Sequence, residues 1–315
     1  MYCKIPVVFW HGRSFNLVTF GLFATAGSMA GYSIAFFYLQ TRGIEVIRYC
    51  WEMTWVLLFF NLLFAKLYAI FSTGRSEYFT NLRSSLNETS FYQQGGIIGS
   101  LLGTILLYPF LDIPYALLGD AVGLGGLVTM FIGRLGCLNY GCCIGKPSTG
   151  RFGFIYTDPE AKICRDHPGF LNISLIPVQL IASLVDFLLF IICCMISVWL
   201  PYSGMIMIIF FVVVNMKRIL LQPLRYKASS NRIPYQWVAF VLIVIFLMIL
   251  LFLRNSGESF FVYEPPVVPF TVKNYLDFIF SDMDISSSLI LVGAVNFAAY
   301  GIHGRRLGTH FNLVP

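Results

Sequence analysis

Residues 15–40 read FNLVTFGLFATAGSMAGYSIAFFYLQ, a run of apolar and small residues without a single charged side chain. A helix that crosses the hydrocarbon core of a bilayer needs about 20 mainly apolar residues, and this run exceeds that length. It is too long for the apolar core of a cleaved signal peptide. The segment before it, Met1 to Arg13, is short and mixed, so the run reads as a retained first membrane helix. The rest of the chain repeats the pattern. Met53–Ser72 is a second span, interrupted by Lys66. Gly95–Phe110 and Leu117–Gly133 are shorter, glycine-rich spans separated by Asp112-Ile113-Pro114. Ile176–Leu200 carries one acid, Asp186, and Tyr202–Met216 ends at Lys217-Arg218. Gln236–Leu253 is uninterrupted, and Ser286–His303 closes the series.

Composition says the same. Of 315 residues, 57% are hydrophobic and 11% are charged, against about 25% charged in a soluble domain. That is too little charge to coat a water-soluble globule, so lipid is the solvent for most of the surface. The formal charge of +6 suggests nucleic acid as a partner, but no basic stripe stands out and the cations lie mostly in loops, as topology determinants do. The expected fold is an all-α, polytopic membrane bundle of about seven transmembrane helices, forming a single domain over residues 1–315. Residues 146–174 and 255–284 are expected as extramembrane loops or caps, the second without helix because of Pro265, Pro266 and Pro269. A break in helical structure is expected between Gly133 and Gly145, since irregular backbone at membrane depth is tolerated where it lines a cavity. Arg305-Arg306 favour a cytoplasmic end for the last span.

Charges inside apolar segments are costly and mark functional sites by default. Lys66 reads either as such a site or as a lysine reaching for the interface. Arg134 follows thirteen uncharged residues, 121–133, with Gly133 and Gly136 beside it to let backbone or ligand approach. Arg218 and Arg225 lie seven residues apart and can share a helix face. Asp186 reads as a partner for one of these cations or as a group facing a polar cavity. Gly95, Gly99 and Gly103 form a small-residue stripe for close helix packing. Tyr92-Gln93-Gln94 sits at that helix's entrance, where free amides favour anions. Cys137, Cys142 and Cys143 fall within seven residues. Zinc, a disulfide, a nucleophile and tight packing are all open to them. No second half of a metal motif is evident, and the sequence requires no metal or cofactor.

In order along the chain, these residues resemble the prolipoprotein diacylglyceryl transferase family. The resemblance covers the chain from about Phe15 to Gly301. Gly133-Arg134-Leu135-Gly136 through Gly145 is similar to the family's signature around an essential arginine. Phe64-Ala65-Lys66-Leu67-Tyr68 resembles an Ala-Arg segment, with lysine for arginine. Tyr92-Gln93-Gln94-Gly95-Gly96 resembles a His-Gly-Gly-Leu motif, with Gln94 in place of histidine. Ile176-Pro177-Val178-Gln179-Leu180 resembles His-Pro-Thr-Gln-Leu, and Lys217-Arg218 to Arg225 resembles the segment of a second essential arginine. Cys137 and Cys142 stand where the family has asparagine and glutamate.

The resemblance implies a seven-helix bundle with a central, lipid-accessible cavity in a bacterial inner membrane. It implies transfer of the diacylglyceryl group of phosphatidylglycerol, or a similar phospholipid, to a lipoprotein-precursor cysteine. Arg134, Arg218, Gln94 and Cys142 then take catalytic positions, and Lys66, Gly95, Gly96, Cys137, Cys143, Gln179 and Arg225 substrate-binding ones. Gln94 does not accept a proton near neutral pH, so three readings stand side by side: a lipid-modifying transferase, a non-catalytic lipid-binding protein on the same scaffold, and a redox or acyl-carrying thiol pair at Cys142-Cys143.

Overall fold

A computed structural model describes residues 2, 5–72, 86–88, 90–149, 153–226, 261–263 and 265–310, with isolated helical positions between 241 and 251. The uncharged run at the start divides in two. Phe15–Val18 is a strand (β2), because its side chains alternate between exposed and buried and its backbone pairs with Val8–His11 (β1) and Ile302–Gly304 (β5). Only from Thr19 does helix begin, and Thr19–Thr41 is α1. The pairing of β2 with β5 brings the segments before the first helix and after the last to one end of the bundle. The Asn16 amide reinforces it, donating to the Gly304 carbonyl at 3.0 Å.

Helices α2 (Cys50–Ser72), α3 (Gln93–Leu107), α4 (Tyr115–Tyr140), α5 (Lys162–Asp166), α6 (Val178–Trp199), α7 (Met205–Leu221), α8 (Val272–Ser281) and α9 (Met283–Gly301) follow. Among the described residues, six helices are long and apolar enough to cross a membrane: α1, α2, α4, α6, α7 with its following turn, and α9. The chain is a polytopic helical membrane protein. The expected span Gln236–Leu253 lies mostly outside the described residues.

Between lipid-embedded helices there is no hydrophobic drive to associate, so close packing at small residues holds them together. The crossing of α1 and α4 shows how close. A β-carbon on Gly31 would stand 2.6 Å from the Gly125 carbonyl oxygen, and one on Gly125 would stand 2.3 Å from the Gly31 carbonyl oxygen. The α2–α3 pair is built alike, with Gly95 and Gly99 pressed against the backbone of Phe64 and Phe60 at 2.1 and 2.2 Å by the same measure. Gly21 of α1 and Gly301 of α9 make a third such contact.

The break expected between Gly133 and Gly145 falls at Gly141, and several other helix boundaries differ from the sequence expectation. Helix α4 runs unbroken through Gly133 and Gly136 to Tyr140 and turns at Gly141, with φ of 75°. Two glycines do not end a helix whose backbone bonds stay satisfied, and Gly136 is held against Phe20 and Phe23 of α1. Helix α3 has 15 residues and spans about 22 Å, short of a core about 30 Å thick. Helix α7 continues past Met216 to take in Lys217 and Arg218, which point into the protein instead of ending the span. The stretch 146–174 carries a small hairpin of β3 (Phe154–Ile155) and β4 (Ser174–Leu175) and the short α5. Residues 255–284, expected without helix, contain α8. The prolines precede it, and Thr271 caps it by accepting from the Asn274 amide at 3.2 Å.

Replacing Gly125 by valine forces α1 and α4 apart and is expected to cost about 1–3 kcal/mol or more. A β-carbon at Gly133 meets nothing within 4 Å, so Gly133→Ala leaves the melting temperature unchanged or raises it. Thermal unfolding of both variants in one detergent checks the pair.

Candidate functional site

The end of the bundle that carries the β1–β2–β5 sheet also holds the start of α3, the end of α4 and the end of α7. Their polar residues meet around a small, narrow cavity lined by Gln93, Gln94 and Ile97 of α3, Arg134 of α4, Ala182 of α6, and Val214, Asn215, Lys217, Arg218 and Leu221 of α7, with Arg225 just beyond. Arg134, Lys217, Arg218 and Arg225 are all buried, none more than 9% exposed.

Charge without water has to be answered by charge. Asp186 of α6, wholly buried, pairs with the Lys217 ammonium and acts by charge on Arg134. Among the described residues, no carboxylate lines the cavity itself. The first turn of α3 also points its amide end there, which adds partial positive charge. The side-chain oxygens of Gln93 and Gln94 are buried without a hydrogen-bond partner among the described residues. The buried cations and open helix amides favour an anionic, oxygen-rich ligand, and the two glutamine oxygens call for hydrogen-bond donors such as hydroxyl groups beside that anion.

A second buried carboxylate does structural work. Asp120 of α4, fully buried, accepts from the Gly204 and Met207 amides at 2.7 Å each and from the Tyr38 hydroxyl at 3.2 Å. It caps α7 from outside the helix, which has no capping side chain of its own. The axis that carries Lys217 and Arg218 is thereby fixed.

Of the residues singled out in the sequence, Gln94, Arg134, Arg218 and Arg225 come together in the cavity. Lys66 stands elsewhere, donating to the Glu88 carbonyl and lying 5.2 Å from the centre of the Phe91 ring. Gly95 sits against α2 and Gly96 beside Asn61 of α2. Gln179 is buried and donates to the Cys142 carbonyl at 2.7 Å and to the Tyr156 hydroxyl at 3.3 Å, holding the turn after α4. Cys137, Cys142 and Cys143 cluster at that turn, next to Arg134. Gln93, Asn215 and Lys217 line the cavity without having been assigned to the site from sequence. Asn215 lies three residues before Arg218, a spacing that shares a helix face and was readable. Lys217 was hidden in plain view as an apparent helix-ending charge.

The chain matches the prolipoprotein diacylglyceryl transferase family over residues 6–253. A curated phosphatidylglycerol–prolipoprotein diacylglyceryl transferase from Clostridium tetani (strain Massachusetts / E88) is 26% identical over 176 residues, covering 43% of this chain and 68% of the relative.

Asp186→Asn strands the Lys217 ammonium in the core and is expected to destabilise the protein by about 3–5 kcal/mol. The double variant Asp186→Leu, Lys217→Met, which removes both charges, is expected to regain most of that loss. Denaturation of the single and double variants in the same micelles measures the difference.

Proposed function

We propose, on the premise that this chain belongs to the prolipoprotein diacylglyceryl transferase family, that its cationic cavity holds the phosphate of phosphatidylglycerol or a similar anionic phospholipid, and that the chain transfers the diacylglyceryl group to an acceptor thiol. The acceptor in this reading is the cysteine of a lipoprotein precursor, the setting is a bacterial inner membrane, and residues 1–315 act as one membrane domain. The observation that carries the reading is the surplus of cations over acids in the cavity wall: four buried cations and, among the described residues, no carboxylate.

The chemistry asks for that surplus. The acceptor sulfur attacks the glyceryl carbon that bears the phosphate oxygen. The new bond is a thioether, the carbon–oxygen bond breaks, and glycerol phosphate leaves with the electron pair on its phosphate, which takes up the proton lost by the thiol. Negative charge therefore grows on the leaving group during the step. Fixed guanidinium groups in a low-dielectric cavity stabilise growing charge without having to reorient, which is where such groups contribute most. Arg134 and Arg218 are assigned this role and Arg225 supports it. Lys217 is committed to Asp186 and sets the field behind them. Gln94 neither takes nor gives a proton at neutral pH, so its part is to orient the headgroup through its amide. Cys137 and Cys142 adjoin Arg134 on the side of the turn after α4. Gly95, Gly96 and Gln179 serve the site by positioning it, Gly95 and Gly96 through the α2–α3 contact and Gln179 through the Cys142 carbonyl, whereas Lys66 is held apart at the Glu88 carbonyl.

Gln94 also supports a second reading, in which the cavity keeps its phospholipid but performs no transfer, because a buried amide replaces a proton-accepting side chain. Both readings meet in one assay. The purified protein in nanodiscs is given phosphatidylglycerol labelled in its headgroup and a peptide with a lipoprotein-type signal cysteine. Peptide-dependent release of labelled glycerol phosphate is the expected result. Arg134→Ala and Arg218→Ala are each expected to reduce it by about 100-fold or more while the variants remain folded in the membrane. Bound phospholipid with no release in the unaltered protein supports the second reading and rejects the first.

A further inference from the structure

Three thiols meet where α4 ends. Cys137 lies in the last turn of the helix, and Cys142 and Cys143 follow the left-handed residue Gly141. Hydrogen bonds join the Cys137 side chain to both Cys142 and Cys143, and all three are free cysteines. Cys143 itself adopts a φ of 57°, in a region that non-glycine residues seldom enter. The chain then forms an antiparallel bridge between Gly145 and Arg225. On either side of it the Tyr226 amide donates to the Ile144 carbonyl at 3.1 Å and the Lys146 amide to the Leu224 carbonyl at 2.9 Å. Gly145 is required here, since a β-carbon would stand 2.3 Å from the Ile176 carbonyl oxygen.

This zipped backbone delivers Arg225 to Cys143, and their side chains are hydrogen-bonded. Arg134, one turn before Cys137 on α4, acts on the same sulfur by charge. Both arginines also line the cavity. Each therefore faces two places where an anion can sit.

We propose that the Cys143 sulfur shares Arg134 and Arg225 with the anion in the cavity, so that it is an electrophile-reactive site while the cavity is empty and loses that character when a phosphate takes the arginines. The proposal rests on the reading of the cavity as a phospholipid phosphate site. It places a counter-charge beside Arg134 and Arg225 in the empty protein, which lowers the cost of burying them. The electrostatics agree. Hydrogen bonds from Cys137 and Cys142, then the charges of Arg225 and Arg134, hold the Cys143 thiol well below the ordinary range. Hydrogen bonds to Cys137 and Cys143, with burial, hold Cys142 well above it, as a thiol. Among the other ionisable groups nearby, Asp186 faces Arg134, Lys162 and Tyr140 face Cys142, and Tyr300 faces Cys137. Because the Cys143 value is lowered, its anion survives as pH falls below the ordinary thiol range and disappears only below the lowered value. Cys143 is exposed, so a small reagent can reach it.

The test alkylates the full-length protein with iodoacetamide in phosphatidylcholine nanodiscs and follows Cys143 by peptide mass spectrometry. Sulfur displaces iodide to give a thioether, so no oxidant is involved. At about pH 6, Cys143 is expected to react about tenfold or more faster than free cysteine in the same buffer. Arg225→Gln is expected to return it towards the free-cysteine profile. Phosphatidylglycerol in the nanodisc is expected to slow the reaction at about pH 6 and leave it nearly unchanged at about pH 9, where any thiol is largely ionised. A Cys143 profile matching free cysteine, or one unmoved by Arg225→Gln, overturns the proposal. Equal slowing at both pH values also overturns it, since that is steric cover and not competition for cations. If phosphatidylglycerol does not bind at all, the phospholipid reading fails on its own. Inorganic phosphate then decides the sharing, which stands if phosphate slows Cys143 at the lower pH and falls if it does not.

Discussion

Charge that water cannot reach has to be matched inside the protein, and that constraint organises the working end of this bundle. Asp120 and Asp186, both wholly buried, are the two answers built into the helices. Asp120 meets the amide end of α7 and a tyrosine hydroxyl. Asp186 meets Lys217. One aligns the helix and the other satisfies its lysine, and between them they orient the helix face that carries Asn215 and Arg218. The guanidinium groups of Arg134, Arg218 and Arg225 line the cavity beside them.

Helix proximity is the second requirement, because cations can share a cavity only if their helices approach closely. Glycine contacts make this possible. The Gly31–Gly125 crossing seats α4 against α1 at backbone distance, and Gly95 and Gly99 do the same for α3 on α2. Helix α3 is short, and its first turn opens at the cavity. Its glutamines and its amide end therefore face the arginines of α4 and α7. Bulkier residues at these crossings would widen the cavity and weaken every electrostatic contact in it, since these decline with distance.

The turn after α4 links the cavity to the cap. Gly141 reverses the chain, Gln179 holds the Cys142 carbonyl, and the Gly145–Arg225 bridge brings the end of the α7 segment alongside. Around it packs a small separate core that includes Val7, Val18, Tyr140, Phe154, Tyr156 and Leu175. A change in the cap is therefore positioned to reach Arg225 through backbone hydrogen bonds, without passing through the membrane-embedded core.

Apolar runs such as residues 15–40 determined by themselves that the chain is a membrane helical bundle, because the energy of placing a segment in lipid depends on its own composition and length. The candidate arginines were readable for a related reason: an ionisable residue beside an apolar span is expensive wherever the span ends up. Where helices stop was less legible. The break expected between Gly133 and Gly145 is present, but it falls at Gly141 because packing against Phe20 and Phe23 carries α4 past Gly136. Lys217-Arg218 looked like an end, yet α7 continues through them, since pairing with Asp186 supplies what the local sequence lacks. Strand β2 was hidden inside an apolar run because its partners, β1 and β5, come from opposite ends of the chain. The choice of Lys217 as partner for Asp186, the separation of Lys66 from the cavity and the meeting of Cys143 with Arg225 were decided by tertiary structure alone. Each depends on the distance between side chains remote in sequence, and helix crossings fix that distance while residue identities do not.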